Sequence, residues 1–177
     1  MNLLATLSLA LDPSQIFRAL GFAVDPWQEE FLLCPDQRLL LCCCRGAGKS
    51  RVTSALALHH AFFQPGSFTL LVSRTLDQAT ELFRYVTQAY SALGRPLAVT
   101  KETEKQLIFA NGSRIKAIPG KEASIRGNQG VTLLIVDEAA RVPDDVYGTV
   151  RDMTRVSQGR QVLLSTPYRQ PRFIFRE

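Results

Sequence analysis

Short apolar runs alternate with longer amphipathic stretches along most of the chain. Runs of four to seven apolar residues between Gly, Pro or polar positions have the length of buried strands, whereas apolar residues recurring every three or four positions are typical of helices. This alternation predicts repeated β-α units around a largely parallel sheet. The predicted strands cover residues 38–44, 68–73, 106–110, 113–118, 132–136 and 160–165. The predicted helices cover residues 26–33, 49–63, 75–93 and 143–155.

Two local signals add detail to this pattern. The strand at 38–44 is apolar at nearly every position, which predicts that both of its faces are covered. Asn111-Gly112, between two alternating segments, is a strong hairpin signal because both residues tolerate the positive φ of a tight turn. We therefore expect an antiparallel hairpin beside the parallel strands.

Composition and length narrow the class of protein. The chain has 177 residues, 46% hydrophobic and 21% charged, which suits one globular α/β domain and is too short for two full domains. Its net charge of +5 permits a polyanionic partner without establishing one. No apolar run reaches the roughly 18 residues of a membrane span, and the apolar N-terminus lacks the positive region of a secretory signal. We expect a soluble protein with no membrane partner.

The four cysteines lie at positions 34, 42, 43 and 44. Three consecutive thiols do not form a disulfide framework, and the spacing does not resemble a zinc site. We expect them to act as small apolar residues that fill a buried strand in a reducing compartment. His59 and His60 lie near the end of a predicted helix, and we assign them no chemistry.

The segment Cys43-Cys-Arg-Gly-Ala-Gly-Lys-Ser50 lies between a predicted strand and a predicted helix, where a phosphate-binding loop belongs. Backbone N–H groups of such a loop and of the following helix converge on phosphate oxygens. Lys49 is expected to contact the β- and γ-phosphates, and the Ser50 hydroxyl to ligate Mg²⁺. The strict pattern has Gly where this chain has Cys43, and an ordinary Gly turn is the alternative. The nucleotide-binding residues predicted here are Arg45, Gly46, Ala47, Gly48, Lys49, Ser50 and Arg51.

An apolar strand that ends in two carboxylates strengthens this interpretation. Leu133-Leu-Ile-Val-Asp-Glu138 would place Asp137 and Glu138 at the carboxyl edge of the sheet, where ligands bind in open α/β folds. Asp137 is predicted to hold Mg²⁺ through a water molecule, and Glu138 to act as the general base on the attacking water. A solvated turn is the alternative for the acid pair taken alone. Because no guanine-reading motif is present, ATP is preferred over GTP.

The chain resembles the ATPase domain of the large terminase subunit, the DNA-packaging motor of tailed phages. The resemblance runs from Pro26-Trp-Gln28 to Phe173-Ile-Phe-Arg-Glu177 and includes the phosphate loop and the acid pair. It implies a three-layer P-loop NTPase fold of the RecA-like type, with a mostly parallel central sheet flanked by helices. In that family the first Gly of the loop is often replaced and a basic residue follows early, as in Cys44-Arg-Gly-Ala-Gly-Lys-Ser50.

The resemblance also assigns roles outside the two motifs. Trp27 and Gln28 resemble an adenine-recognition segment, although an ordinary helix start would look the same. Ser165-Thr-Pro167 is similar to the coupling motif, in which Thr166 would sense the γ-phosphate. Arg126 resembles an arginine that some terminases insert into a neighbouring subunit's site.

Arginines could complete the catalytic site in two ways. Arg45 would stabilise the transition-state charge from within the same chain, whereas Arg126 would act in trans and require a homo-oligomeric ring. Arg126 could also be a solvated loop residue. The last third of the chain is rich in arginine, which phosphate contacts to DNA or solvated helix faces explain equally well; these residues are Arg141, Arg151, Arg155, Arg160, Arg169, Arg172 and Arg176.

The leading hypothesis is therefore an ATPase that uses Mg²⁺ and translocates double-stranded DNA. The resemblance implies the portal protein and the small terminase subunit as partners, and the cytoplasm of an infected bacterial host as the location. The alternatives are another P-loop DNA-remodelling ATPase, such as a helicase, and a non-catalytic nucleotide-binding module. We expect residues 1–177 to form a single ATPase domain. No nuclease activity is expected, because Glu177 is the only acidic residue after Pro171.

Overall fold

A seven-stranded sheet forms the centre of the computed structural model, which describes residues 3–120 and 127–167. The strands are β1 (Arg38–Cys42), β2 (Phe68–Ser73), β3 (Val99–Thr103), β4 (Gln106–Phe109), β5 (Arg114–Pro119), β6 (Leu133–Val136) and β7 (Arg160–Ser165). The helices are α1 (Leu3–Leu11), α2 (Ser14–Ala19), α3 (Pro26–Leu33), α4 (Lys49–Phe63), α5 (Leu76–Ala92) and α6 (Asp144–Arg155), and a 3₁₀ turn covers Ala139–Arg141.

The order of the strands is β1-β7-β6-β2-β5-β4-β3. The first five strands are parallel, and β4 and β3 continue the sheet in antiparallel pairing. Thus β7, the last of the seven strands in sequence, lies between β1 and β6. The loops that follow β1, β7 and β6 consequently meet at one edge of the sheet.

Helices cover both faces of the sheet and enclose two apolar clusters. On one face α4 and α5 pack over a cluster that includes Leu71, Ile135 and Val162. On the other face α6 and the 3₁₀ turn pack over a cluster that includes Leu70 and Leu134. Successive residues of a strand point to opposite faces, so burial on both faces requires the continuous apolar sequences of β2 and β6. The predicted three-layer α/β architecture is confirmed.

Most predicted elements form where the sequence indicated. Asp25 and Gln28 make a capping box at the start of α3, with Pro26 in the first turn. The Asn111-Gly112 turn joins β4 to β5, and Gly112 has a φ of 82°. The Asn111 amide also donates a hydrogen bond of 2.8 Å to the carbonyl oxygen of Ala61, which ties the hairpin to α4.

The prediction of a strand at 38–44 with both faces covered is wrong. Within the described residues β1 pairs only with β7, and its side chains alternate between exposed and half-buried. Leu40 is 49% exposed because α6 packs on β6 and β7, leaving the outermost strand open on that face.

The expected burial of the consecutive cysteines is wrong for the same reason. Cys42 and Cys44 are exposed and Cys43 is half-buried, and the strand ends at Cys42 so that the next two cysteines belong to the loop. They therefore do not fill a strand core.

Among the described residues, four elements had no counterpart in the predicted set: α1, α2, β3 and the 3₁₀ turn Ala139–Arg141. In β3 four of the five residues are exposed, and only pairing with β4 makes the segment a strand. Helices α1 and α2 cover the apolar N-terminal segment and contact α4.

In the part of the chain that the structure describes, no helix is both long and apolar enough to span a bilayer.

Candidate active site

One cleft at the carboxyl edge of the sheet collects the phosphate loop, the acid pair and Thr166. Its volume is about 570 Å³, within the roughly 300–1,000 Å³ of small-molecule sites. The inserted position of β7 brings Thr166 between the loop and the acids. The residues that line the cleft are Arg45, Gly46, Ala47, Gly48, Lys49, Ser50, Arg51, Tyr85, Asp137, Glu138 and Thr166.

The backbone of the loop depends on its glycines. Gly46 and Gly48 have φ values of 79° and 82°, a region that side chains with a Cβ rarely adopt. A Cβ at position 48 would also lie 2.9 Å from Nε2 of Gln28. Helix α4 begins immediately after Gly48, so its first N–H groups and its dipole face the cleft. This arrangement can bind a phosphate.

Lys49 contacts the loop through its own ammonium group. Nζ donates hydrogen bonds of 3.1 Å and 2.8 Å to the carbonyl oxygens of Cys43 and Cys44. A phosphate bound in the loop would offer a charged acceptor in place of these neutral carbonyls, and charge-assisted hydrogen bonds are the stronger kind.

Asp137 is held at the base of the cleft. Oδ1 of Asp137 accepts a hydrogen bond of 3.0 Å from the N–H of Glu138. Burial raises the pKa of the Asp137 carboxyl above its ordinary value, while that hydrogen bond opposes the shift. A cation beside the carboxylate would offset the cost of desolvation. With the Ser50 hydroxyl lining the same cleft, the oxygen donors fit Mg²⁺.

Glu138 occupies a backbone conformation that is uncommon outside glycine, with φ 50° and ψ 43°. Its carboxylate has two neighbours at one oxygen. Thr166 donates a hydrogen bond of 3.3 Å from Oγ1 to Oε2, and Nε of Arg141 lies 3.8 Å from the same Oε2. Sequence reasoning missed Arg141 at this site, although its i,i+3 spacing from Glu138 was visible.

The structure places Gln28 against the loop, and neither Trp27 nor Gln28 is among the residues that line the cleft. Gln28 is 4% exposed; its Oε1 accepts from the N–H of Asp25 at 3.1 Å, and its Nε2 donates to the carbonyl oxygen of Ala47 at 3.4 Å. Trp27 packs against the apolar cluster under α4. Gln28 thus stabilises the phosphate loop through its hydrogen bond to Ala47. Adenine recognition by Trp27 and Gln28 stays a prediction.

The candidate catalytic arginines differ in position. Arg45 is exposed and lines the cleft. Arg126 lies outside the described residues. Arg51 lines the cleft with its guanidinium carbon 4.5 Å from the centre of the Phe22 ring. Tyr85, half-buried on α5, also lines the cleft, and no sequence signal marks it.

The arginine-rich last third separates into different environments. Arg160 donates hydrogen bonds to the carbonyl oxygens of Cys34 and Asp36, at 2.7 Å and 3.1 Å, which makes it a structural residue. Arg151 and Arg155 line a groove together with Arg38. Positions 169, 172 and 176 lie outside the described residues.

The groove lies at the amino edge of the sheet, opposite the cleft, where β1 and β7 begin. Its volume is about 680 Å³. Three guanidinium groups line it, and Nη1 of Arg155 lies 3.7 Å from Oδ1 of Asp152 at its margin. The residues that line the groove are Gln37, Arg38, Arg151, Thr154, Arg155, Gln158, Gly159 and Gln161. We call this set of residues the basic groove.

Known proteins are similar to this chain in sequence. The sequence family described as "Terminase large subunit, T4likevirus-type, N-terminal" matches residues 41–174. The large terminase subunit of Thermus phage G20c is 28% identical over an alignment of 177 residues. The aligned region covers 89% of this chain and 36% of that protein. The chain spans between 29% and 36% of the length of the curated relatives it matches.

Solved structures show the same fold. The ATPase domain of the Thermus phage P74-26 large terminase superposes with a TM-score of 0.83 at 24% identity, covering 94% of this chain and 74% of that one. A large terminase from a thermophilic bacteriophage, solved in complex with ADP, has a TM-score of 0.62 at 13% identity and covers 85% of this chain and 38% of that one.

Proposed function

This chain belongs to the terminase large subunit family, as an N-terminal region of the T4likevirus type, and on that basis we propose that it is the ATP-hydrolysing motor domain of a viral DNA-packaging machine. In this function ATP hydrolysis drives double-stranded DNA into a procapsid. The observation that carries the proposal is that one cleft contains the phosphate loop, both carboxylates and Thr166. We propose residues 1–177 as a single ATPase domain.

The loop binds the nucleotide phosphates in this proposal. Gly46, Gly48 and the first turn of α4 supply backbone N–H groups, and Lys49 leaves the carbonyls of Cys43 and Cys44 to contact the β- and γ-phosphates. The thermophilic phage terminase that was solved with ADP shares the fold. We assign adenine over guanine from the sequence, with Trp27 and Gln28 as the candidate base-side residues.

Ser50 and Asp137 are the residues that would hold Mg²⁺. The ion would neutralise charge on the β- and γ-phosphate oxygens. Asp137 supports this assignment because burial already raises its pKa, so its carboxylate gains from a cation.

Glu138 positions and deprotonates the attacking water. Its carboxylate lies at the cleft surface, in hydrogen-bond contact with Thr166. Thr166 exchanges that contact for the γ-phosphate when ATP is bound, and this exchange is how the strand β7 reports the state of the nucleotide. Catalysis by a positioned base contributes about 10²- to 10⁴-fold.

Arg45 stabilises the transition-state charge from within the chain, since it lines the cleft. The alternative is Arg126 of an adjacent subunit in a homo-oligomeric ring. Contact of the motor with DNA is proposed at the basic groove, where three guanidinium groups can bind phosphates of the backbone. The portal protein and the small terminase subunit are the proposed protein partners, in the cytoplasm of the infected bacterial host.

Measurement of ATP hydrolysis with and without double-stranded DNA tests the function. We expect Glu138→Gln to bind ATP with unchanged affinity and to lose at least about 100-fold in turnover, while Glu104→Gln, an exposed acid beside the β3–β4 turn, retains full turnover. Equal turnover in Glu138→Gln and the wild type would exclude Glu138 as the base.

Other outcomes distinguish the alternatives. ATP binding without turnover in the wild type favours a non-catalytic module, and separation of DNA strands favours a helicase. Specific activity that rises steeply with protein concentration supports Arg126 acting in trans, whereas a flat specific activity supports Arg45.

A further inference from the structure

Arg141 lies one helical turn beyond the acid pair. The positive φ of Glu138 turns the chain out of β6 into the single 3₁₀ turn Ala139–Arg141. The N–H of Arg141 donates a hydrogen bond of 2.8 Å to the carbonyl oxygen of Glu138. Ala139 and Ala140 are fully buried in the cluster under α6. The turn is therefore anchored, and it brings the Arg141 side chain back over Glu138.

Both contacts to the Glu138 carboxylate meet at Oε2. Nε of Arg141 lies 3.8 Å from that oxygen, and Oγ1 of Thr166 lies 3.3 Å from it. Hydrogen bonds found within the described residues leave Oε1 of Glu138 without a partner. At 3.8 Å the buried Nε of Arg141 is too far from Oε2 for a hydrogen bond, so it attracts Oε2 electrostatically while Thr166 holds the same oxygen by a hydrogen bond. Two groups acting on one carboxylate oxygen leave the other oxygen pointing away from them.

Arg141 does not belong to the lining of the cleft. A role on the phosphates themselves is therefore less direct than a role through Glu138. The side chains of Arg141 and Glu138 are only 33% and 24% exposed, so solvent screens this pair less than a surface ion pair. Arg45 and Arg51 are the arginines that line the cleft within the described residues.

We propose that Arg141 is a positioning residue that holds Oε2 of Glu138 so that Oε1 faces the attacking water. This inference rests on the proposed ATPase function. In the reaction the water oxygen bonds to the γ-phosphorus, its proton passes to Oε1, and the bond from that phosphorus to the bridging oxygen of ADP breaks. When Thr166 turns to the γ-phosphate, Arg141 alone keeps the carboxylate in place.

The test compares Arg141→Met with the wild type in ATP turnover, KM and affinity for a fluorescent ATP analogue. We expect kcat to fall by about 10- to 100-fold, a share of the 10²- to 10⁴-fold effect of the base, with KM and analogue affinity within twofold. Arg141→Lys restores part of the lost kcat because it keeps the charge. Arg84→Met is the matched control, since Arg84 forms an exposed i,i+3 pair with Glu81 on α5; its kcat stays unchanged.

A double-mutant comparison shows whether Arg141 acts through Glu138. In the Glu138→Gln background, Arg141→Met is expected to cause no further loss in single-turnover hydrolysis of radiolabelled ATP. Arg141→Met combined with Thr166→Val is expected to lose about the product of the two single effects, because Thr166 has turned to the γ-phosphate when Arg141 acts on Oε2. Arg141→Gln serves in place of Arg141→Met if thermal melting shows that the latter does not fold.

An equal fold-loss in the wild-type and Glu138→Gln backgrounds overturns the inference, as does an effect on KM alone. Other results distinguish a failure of this inference from a failure of the proposed ATPase function. A wild type that turns over ATP, with unaltered kcat in both Arg141→Met and Arg141→Gln, contradicts only the role of Arg141. A wild type without turnover contradicts the ATPase function and the inference together.

Discussion

Thr166 donates a hydrogen bond of 3.3 Å from its hydroxyl to Oε2 of Glu138, although the two residues are 28 positions apart in sequence. The contact exists because β7 inserts between β1 and β6. A hydrogen bond thus joins the candidate base to the candidate coupling residue. A change at either residue is expected to reach the other.

Thr166→Val tests that link, since valine keeps the shape and removes the hydroxyl. We expect ATP turnover to fall by about tenfold and stimulation by DNA to disappear, because Glu138 loses a partner and the γ-phosphate loses its sensor. Thr166→Ser keeps the hydroxyl, so we expect it to retain both the turnover and its stimulation by DNA. Steady-state hydrolysis with and without DNA measures the effect, and DNA stimulation that persists in Thr166→Val would argue against a coupling role.

Gln28→Ala separates two roles for the amide. Because Gln28 bonds Asp25 and Ala47, we expect its removal to weaken ATP and GTP binding by a similar factor of about 3–10, as for the loss of a net hydrogen bond of about 1 kcal/mol. The ratio of ATP to GTP affinity then stays constant. Competition binding with both nucleotides gives this ratio, and a selective loss of ATP affinity would instead support adenine recognition by Gln28.

The basic groove predicts how DNA binding depends on salt. Arg38→Ala and Arg155→Ala should each reduce the slope of log K against log salt concentration by about 1, since each removes about one phosphate contact. Arg84→Ala, on the exposed surface of α5, should leave the slope unchanged. Fluorescence anisotropy with duplex DNA at several salt concentrations measures it, and identical slopes in all variants would place the DNA elsewhere.

Substitution by alanine is expected to have opposite effects on stability at Gly159 and at Gly148. A Cβ at Gly159 would overlap the carbonyl oxygen of Val131, so Gly159→Ala should lower the free energy of unfolding by about 1–3 kcal/mol. Gly148 lies inside α6 with no atom near the position of a Cβ, so Gly148→Ala should raise it by about 0.5–1 kcal/mol. Urea unfolding at neutral pH checks both signs.

His60 predicts a loss of stability in acid. Burial, aided by the charges of His59 and Arg160, lowers the pKa of His60 from 6.5 to about 4. Between these values the unfolded chain binds more protons than the folded one, so the free energy of unfolding falls as the pH drops through that window, by up to about 3 kcal/mol. His60→Gln should flatten this dependence in urea unfolding at pH 7.5 and pH 5, and an unchanged difference between the two pH values would contradict the assignment.

The parts of the fold that could be predicted from the sequence are those that depend on residue type and local spacing. The strands β2 and β6 were readable because burial on both faces demands uninterrupted apolar residues. The β4–β5 hairpin followed from the turn chemistry of Asn111-Gly112. The loop residues 45–51 and the acid pair were likewise readable, since phosphate and metal binding need particular residue types at fixed spacing.

Strand order and long-range contacts were decided by the tertiary structure alone. The exposure of Cys42 and Leu40 depends on β1 lying at the edge of the described sheet, and an apolar sequence does not state how many neighbours it will have. The places of Tyr85 in the cleft and of Arg38 beside Arg155 depend on how helices and strands pack side by side. Sequence by itself thus determined which residues can do the chemistry, because that follows from side-chain type and local spacing. Which residues distant in sequence meet, such as Thr166 and Glu138, was decided by the burial of two apolar faces, which sets the order of the strands.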